Sequence, residues 1–136
     1  MHRFELRVRY SDTDQMGWVY YANYLRWFEV GRAEMLRSLG RTYRNVEEDG
    51  TLLPVLEAQC RYFSGARYDD LVAIETGVEE LRKASVTFGY RIVRAGDGEV
   101  LAIGATRHCF LRDGKAGRPP EDLRLLLERA PRAPAR

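Results

Sequence analysis

Two carboxylates, Asp12 and Asp14, stand two residues apart in the stretch YSDTDQMGWVYYANYLRWFE (10–29), between an alternating strand pattern and a long apolar helical pattern. A turn entering a helix meets unpaired backbone N–H groups carrying partial positive charge. Such amides can stabilise a carbonyl oxygen that becomes negative during acyl transfer. A carboxylate beside them can attack the acyl carbon or act as base for water. The chemistry that suits this arrangement is ester or thioester hydrolysis. The same residue types also form turns and cap helices, and on spacing alone that plainer role comes first.

The elements that must hold this turn follow from periodicity. Residues 3–10 alternate, with Phe4, Leu6, Val8 and Tyr10 on one face and Arg3, Glu5, Arg7 and Arg9 on the other, which predicts a half-buried strand. From about Tyr21 or Ala22, spacings of three and four among Tyr24, Leu25, Phe28, Met35, Leu36 and Leu39 predict a long helix buried on one side and stopped at Gly40. Gly31, in mid-helix at a cost of about 1 kcal/mol relative to Ala, calls for a close packing contact. Residues 41–51 read as a polar connector with room for a short helical turn. Alternation then predicts strands after Pro54, at 71–79, around 86–92 and at 99–112, with a loop at 64–70 and an Asp-Gly hairpin turn at 95–98. Residues 121–130 form a short amphipathic helix. The order, strand, helix, then four strands joined mainly by hairpins, predicts an α+β domain with a helix lying on an antiparallel sheet. Residues 1–128 make one domain, and the segment 129–136, with its alternating prolines, is expected to be disordered.

The chain has 136 residues, enough for a single core. With 22 basic and 20 acidic residues it does not read as a nucleic-acid binder. No window of about 18 apolar residues could span a membrane, and the charged N-terminus lacks a secretory pattern, so the expected location is cytoplasmic. Cys60 and Cys109 lie far apart in apolar stretches, and neither a metal nor another cofactor is expected.

The stretch 10–24 resembles the motif of the 4-hydroxybenzoyl-CoA thioesterase family of hot-dog-fold proteins. The matching residues are Tyr10, Asp12, Asp14, Gly17, the hydrophobic run 18–21, Asn23 and Tyr24. The resemblance continues through RYFSGARYDDLVAIET (61–76) and reaches about residue 112. It implies a hot-dog fold, an antiparallel sheet wrapped around one long central helix, and hydrolysis of an acyl-CoA to a free acid and CoA. It implies that Asp14 is the catalytic carboxylate, as nucleophile or general base, and that Asp12 orders the turn. The backbone amide of Tyr21 would bind the oxyanion, with Gly17 and Val19 shaping the approach. Thioesterases of the neighbouring Tol-Pal branch often carry His where this chain has Tyr21; the oxyanion role needs only the backbone N–H. The resemblance further implies a homodimer or homotetramer built by edge-to-edge sheet pairing.

The family's basic pair for the CoA phosphates falls on Arg82 and Lys83, residue types that suit phosphate but are equally common in a solvated hairpin; Arg61 and Arg67 are weaker candidates. His2 and His108 have no Ser or Cys partner at motif spacing. Two other readings stand beside the thioesterase: a non-catalytic acyl-thioester-binding hot-dog protein, and a hot-dog dehydratase, which would want a His near the motif.

Overall fold

The computed structural model describes residues 1–134 and 136. The chain runs through β1 (His2–Arg7), α1 (Asn23–Ser38), α2 (Tyr43–Glu48), β2 (Thr51–Leu52), β3 (Val55–Tyr62), β4 (Leu71–Leu81), β5 (Ser85–Arg94), β6 (Val100–Cys109), β7 (Leu111–Arg112), β8 (Lys115–Ala116) and α3 (Glu121–Glu128). Five strands form one antiparallel sheet in the order β1-β4-β5-β6-β3, and β2, β7 and β8 form a small second sheet.

Helix α1 packs against one face of the large sheet. Its buried side, Tyr24, Trp27, Phe28, Gly31, Met35 and Leu36, meets Ile74, Val78, Phe88, Tyr90 and Ile92 in one core. Phe28 stacks on Tyr90 with ring centroids 4.3 Å apart. The contact called for by Gly31 is present: a Cβ there would stand 2.6 Å from Ile74 Cγ2 and closer still to Thr76 Oγ1. Thus the mid-helix glycine lets α1 sit directly on β4. Gly40 takes φ +93° just past the helix, as its position predicts.

Four features differ from the sequence-based expectation. Only β4, β5 and β6 form a meander; β3 pairs with β6 at the far edge, so segment 63–70 crosses the sheet to reach β4. Alternation marks a strand but not its partner. The first strand ends at Arg7, and Tyr10 lies exposed in a single 3-10 turn (Tyr10–Asp12), because the chain bends away to build the loop that precedes α1. The last strand breaks after Cys109, where Phe110 turns inward to full burial and the chain folds into the β7–β8 hairpin.

The fourth difference is the tail. Val78 donates its N–H to the Pro131 carbonyl at 2.8 Å and accepts the Ala133 N–H at 3.0 Å, so the tail continues along β4 past the end of β1. Gly77 and Gly89 are register partners. A Cβ on Gly77 would fall on the backbone of Arg132 and Ala133, and one on Gly89 would stand 2.7 Å from Ala133 Cβ. The two glycines form a trough that seats the segment. Arg136 reaches Glu79 at 2.6 Å. Expected disorder gives way to backbone pairing at 131–133, which composition does not reveal; at Ala135 the expectation lies outside the described residues.

Candidate active site

The turn ahead of α1 is held by its own polar groups. Asp12 Oδ2 accepts the Arg9 N–H at 2.9 Å, and the Thr13 hydroxyl donates to the Tyr10 carbonyl at 2.7 Å. The Asp12 carbonyl accepts both the Tyr20 N–H at 2.9 Å and the side-chain amide of buried Asn23 at 2.8 Å. Asp12 is thereby committed to the turn.

Asp14 opens a tight loop. Its N–H donates to the Trp18 carbonyl at 3.0 Å, and its carbonyl accepts the Gly17 N–H at 3.0 Å. Gly17 takes φ +88°, a conformation that glycine adopts without strain. Asp14 Oδ1 accepts the Met16 N–H at 2.9 Å, and among the described residues Oδ2 has no protein partner. Val19 is buried and donates its N–H to the Ala66 carbonyl at 2.8 Å, fastening the loop to the segment after β3. Arg67 lies over the Trp18 ring, 5.5 Å from its centroid.

At the start of α1, Asn23 N–H donates to the Tyr20 carbonyl at 2.9 Å. The N–H groups of Tyr21 and Ala22 meet no acceptor among the described residues. Tyr21's ring is exposed, and its carbonyl accepts the Tyr62 hydroxyl at 2.9 Å. The Tyr20 phenol is held above its ordinary range chiefly by the Tyr21 hydroxyl beside it, and the Asp14 carboxylate pushes in the same direction.

Beside these amides opens a cleft of about 470 Å³, lined by Trp18, Val19, Tyr21, Tyr24, Tyr62 and Phe63 and floored by Ser64 and Gly65. Its wall is mainly aromatic. Asp14 lies outside that lining, in the loop hydrogen-bonded to Trp18. The second motif supports the floor: Asp70 Oδ2 accepts the Arg67 N–H at 2.9 Å and Arg94 Nε at 3.3 Å, and Arg94 also reaches the Gly65 carbonyl at 3.2 Å.

Of the residues expected at the site, Val19 and Tyr21 line the cleft, and Asp14 and Gly17 stand in the adjoining loop that is hydrogen-bonded to Trp18. The structure does not bring Arg82 and Lys83 there. The Leu71 end of β4 pairs with Arg7, near the Asp14 loop. Arg82 follows the other end of the strand, ten residues on, or about 33 Å of extended chain. Arg82 pairs with Glu80 at 2.9 Å, and both basic residues line a separate groove shared with Arg118 and Arg124. Arg67 is at the site, whereas Arg61 lies exposed on edge strand β3. Neither Tyr62, inside the stretch 61–76, nor Arg94 carries a site signal in the sequence. Their roles depend on a cross-sheet approach that no local spacing encodes.

His108 is fully buried, between the Leu53 carbonyl (3.0 Å from Nδ1) and Thr106 Oγ1 (2.8 Å from Nε2), and burial pushes it down to about 4. It is a neutral core residue, away from the cleft. Among the described residues no cluster of His, Cys, Asp and Glu could hold a metal ion, and no helix is long and apolar enough to cross a membrane.

A sequence profile of the thioesterase-like superfamily matches residues 8–132, which take in the turn, α1 and every strand after β1. The chain belongs to that superfamily. The acyl-CoA thioesterase YbgC of Haemophilus influenzae is 40% identical over 92 residues, covering 67% of this chain and 68% of the relative. The crystal structure of AQ1494 from Aquifex aeolicus superposes with a TM-score of 0.90 at 31% identity, covering 93% of this chain and 99% of the other. A variant of 4-hydroxybenzoyl-CoA thioesterase solved with 4-hydroxybenzoyl-CoA superposes with a TM-score of 0.83 at 26% identity, covering 93% and 97%. The superfamily fold is the hot dog, and the sheet wrapped around α1 is that arrangement.

Proposed function

We propose that the protein is an acyl-CoA thioesterase whose reaction runs at the start of α1. The observation that carries this reading is a carboxylate oxygen, Asp14 Oδ2, that has no protein partner among the described residues, in the loop leading to a helix start where two amides are likewise unclaimed among them and an aromatic cleft opens. The thioester carbonyl oxygen points at the Tyr21 N–H, which stabilises it as it becomes negative. Asp14 acts in one of two ways. As base it takes a proton from water while the water oxygen bonds to the acyl carbon; as nucleophile it bonds to that carbon and water then cleaves the resulting anhydride. In either case the C–S bond breaks and the thiolate of CoA leaves, to be protonated. Gly17 and Val19 shape the approach, one by its turn and the other as wall.

The working unit in this reading is at least a homodimer. Strand β3 is an open edge without Pro or Lys, and Val55, Leu56, Tyr62 and Phe63 on and beside it are exposed. An unguarded edge of this kind pairs readily with a second copy. Given their distance from Asp14, Arg82 and Lys83 would meet the CoA phosphates of a site on another copy, as a homodimer or homotetramer allows. Light scattering at micromolar concentration tests the assembly, and an active monomer of 15.7 kDa would refute it.

Hydrolysis of a panel of short, medium and aromatic acyl-CoA thioesters tests the activity. Turnover supports the enzyme; binding without turnover across the panel supports the non-catalytic acyl-thioester binder instead.

A further inference from the structure

Tyr62 sits on the edge strand, 41 residues along the chain from Tyr21, yet its hydroxyl donates to the Tyr21 carbonyl at 2.9 Å. A carbonyl can only accept, so the direction of this bond is fixed. Partial desolvation and the neighbouring Cys60 raise the phenol above the usual tyrosine range. The ring packs edge-on against Tyr24, at 5.1 Å and 90°, and against Tyr21, at 6.4 Å and 89°.

A peptide group is planar and trans, so its carbonyl and its N–H point in opposite directions. The peptide before Tyr21 is fixed by the Asn23 N–H on the Tyr20 carbonyl, which aims the Tyr21 N–H. The peptide after Tyr21 joins its carbonyl to the Ala22 N–H. Among the described residues the Tyr21 carbonyl receives, apart from Tyr62, only the Tyr24 N–H, at a long 3.3 Å. Ala22, the N-cap residue, is already helical at φ −67° and ψ −21°, and the Tyr24 and Leu25 N–H groups turn back onto the Tyr21 and Ala22 carbonyls, so both residues stand at the head of the helix. First-turn amides of a helix point the same way, out of its N-terminus.

We infer that Tyr62 is a positioning residue: its hydroxyl clamps the Tyr21–Ala22 peptide so that the Tyr21 and Ala22 amides together face the thioester oxygen. The inference rests on the thioesterase reading and adds to it a second donor and the side chain that orients it. It also ties the oxyanion site to the edge strand, since a shift of β3 would move the hydroxyl and release the peptide.

The test is Tyr62→Phe, which removes one oxygen and keeps the ring packing. On an acyl-CoA that the wild type hydrolyses, kcat should fall about tenfold, a fraction of the loss seen when an oxyanion donor is removed outright. KM should stay at its wild-type value, the melting temperature should fall by no more than the loss of one hydrogen bond explains, and the apparent pKa in the kcat–pH profile should not move. Tyr62→Leu, which also removes the ring, should raise KM in addition. A kcat within twofold of wild type in Tyr62→Phe would overturn the assignment. So would a loss confined to KM, which would make Tyr62 a substrate contact, or a fall in melting temperature well beyond that of one lost hydrogen bond, which would make it a packing residue. A wild-type protein inactive on every acyl-CoA would refute the thioesterase reading and this role with it; an active wild type unaffected by Tyr62→Phe would refute the role of Tyr62 alone.

Discussion

Asp14 accepts the Met16 N–H through Oδ1 at 2.9 Å, which fixes the carboxylate while leaving Oδ2 without a protein partner among the described residues. Two residues earlier, Asp12 places its Oδ2 on the Arg9 N–H and its carbonyl on Tyr20 and Asn23. The two carboxylates of the motif thus divide into one that builds and one that is left available. Asp12→Ala should cost about 1 kcal/mol, the usual worth of a lost turn hydrogen bond. Urea denaturation measures it. Activity per folded molecule should fall less than stability suggests; a large kcat loss with unchanged stability would reverse the division.

Charge reversal at Arg82 and Lys83 together should raise KM for an acyl-CoA and leave the matching acyl-pantetheine unaffected. Raising the salt concentration should shrink the difference, because exposed charges are screened. Because both residues stand far from Asp14 of their own chain, mixing this variant with an Asp14→Asn variant should give hybrids containing one intact site. Equal losses on both substrates, or no recovery on mixing, would remove the pair from substrate binding.

The trough formed by Gly77 and Gly89 makes the tail a measurable part of the fold. Gly77→Ala drives a methyl into the backbone of Arg132 and Ala133, which cannot yield as a flexible side chain could. Overpacking of this kind costs about 1–3 kcal/mol. Removing residues 131–136 should abolish most of that penalty, so the two changes should be non-additive in a double-mutant cycle. Additive effects would show that the tail does not occupy the trough in solution.

His108 makes stability depend on acidity. Its pKa is about 4 in the folded protein and about 6.5 when unfolded, so below pH 6.5 the unfolded chain binds a proton that the folded chain refuses. Stability is fully present above 6.5, falls as pH drops toward 4, and loses on the order of 3 kcal/mol to this group. His108→Gln should flatten that limb of the stability–pH curve by about one proton. An unchanged slope would show that His108 titrates normally in the fold.

Much of this architecture could be read from residue order alone. Period-two alternation located β4 and β5, period 3.6 located α1, and Gly31 announced the contact that seats the helix on β4. What alternation lacks is pairing information. The exposed residues of β3 look like any half-buried strand until the strand is found at the sheet edge, and the Gly77 and Gly89 trough exists only when the two strands are in register. The same limit applies at the site. Asp12, Asp14, Gly17, Val19 and Tyr21 are local to one turn and stand together. Tyr62 reaches the turn from 41 residues away, and Arg82 and Lys83, matched by motif, lie at the opposite end of β4.

Asp14→Asn tests the central claim most directly. The amide keeps an oxygen for the Met16 N–H, so the loop should hold and the melting temperature should stay close to wild type. The side chain loses both basicity and nucleophilicity, and kcat on a good acyl-CoA substrate should fall at least ~10²-fold. A folded Asp14→Asn protein with near-wild-type turnover would contradict the account.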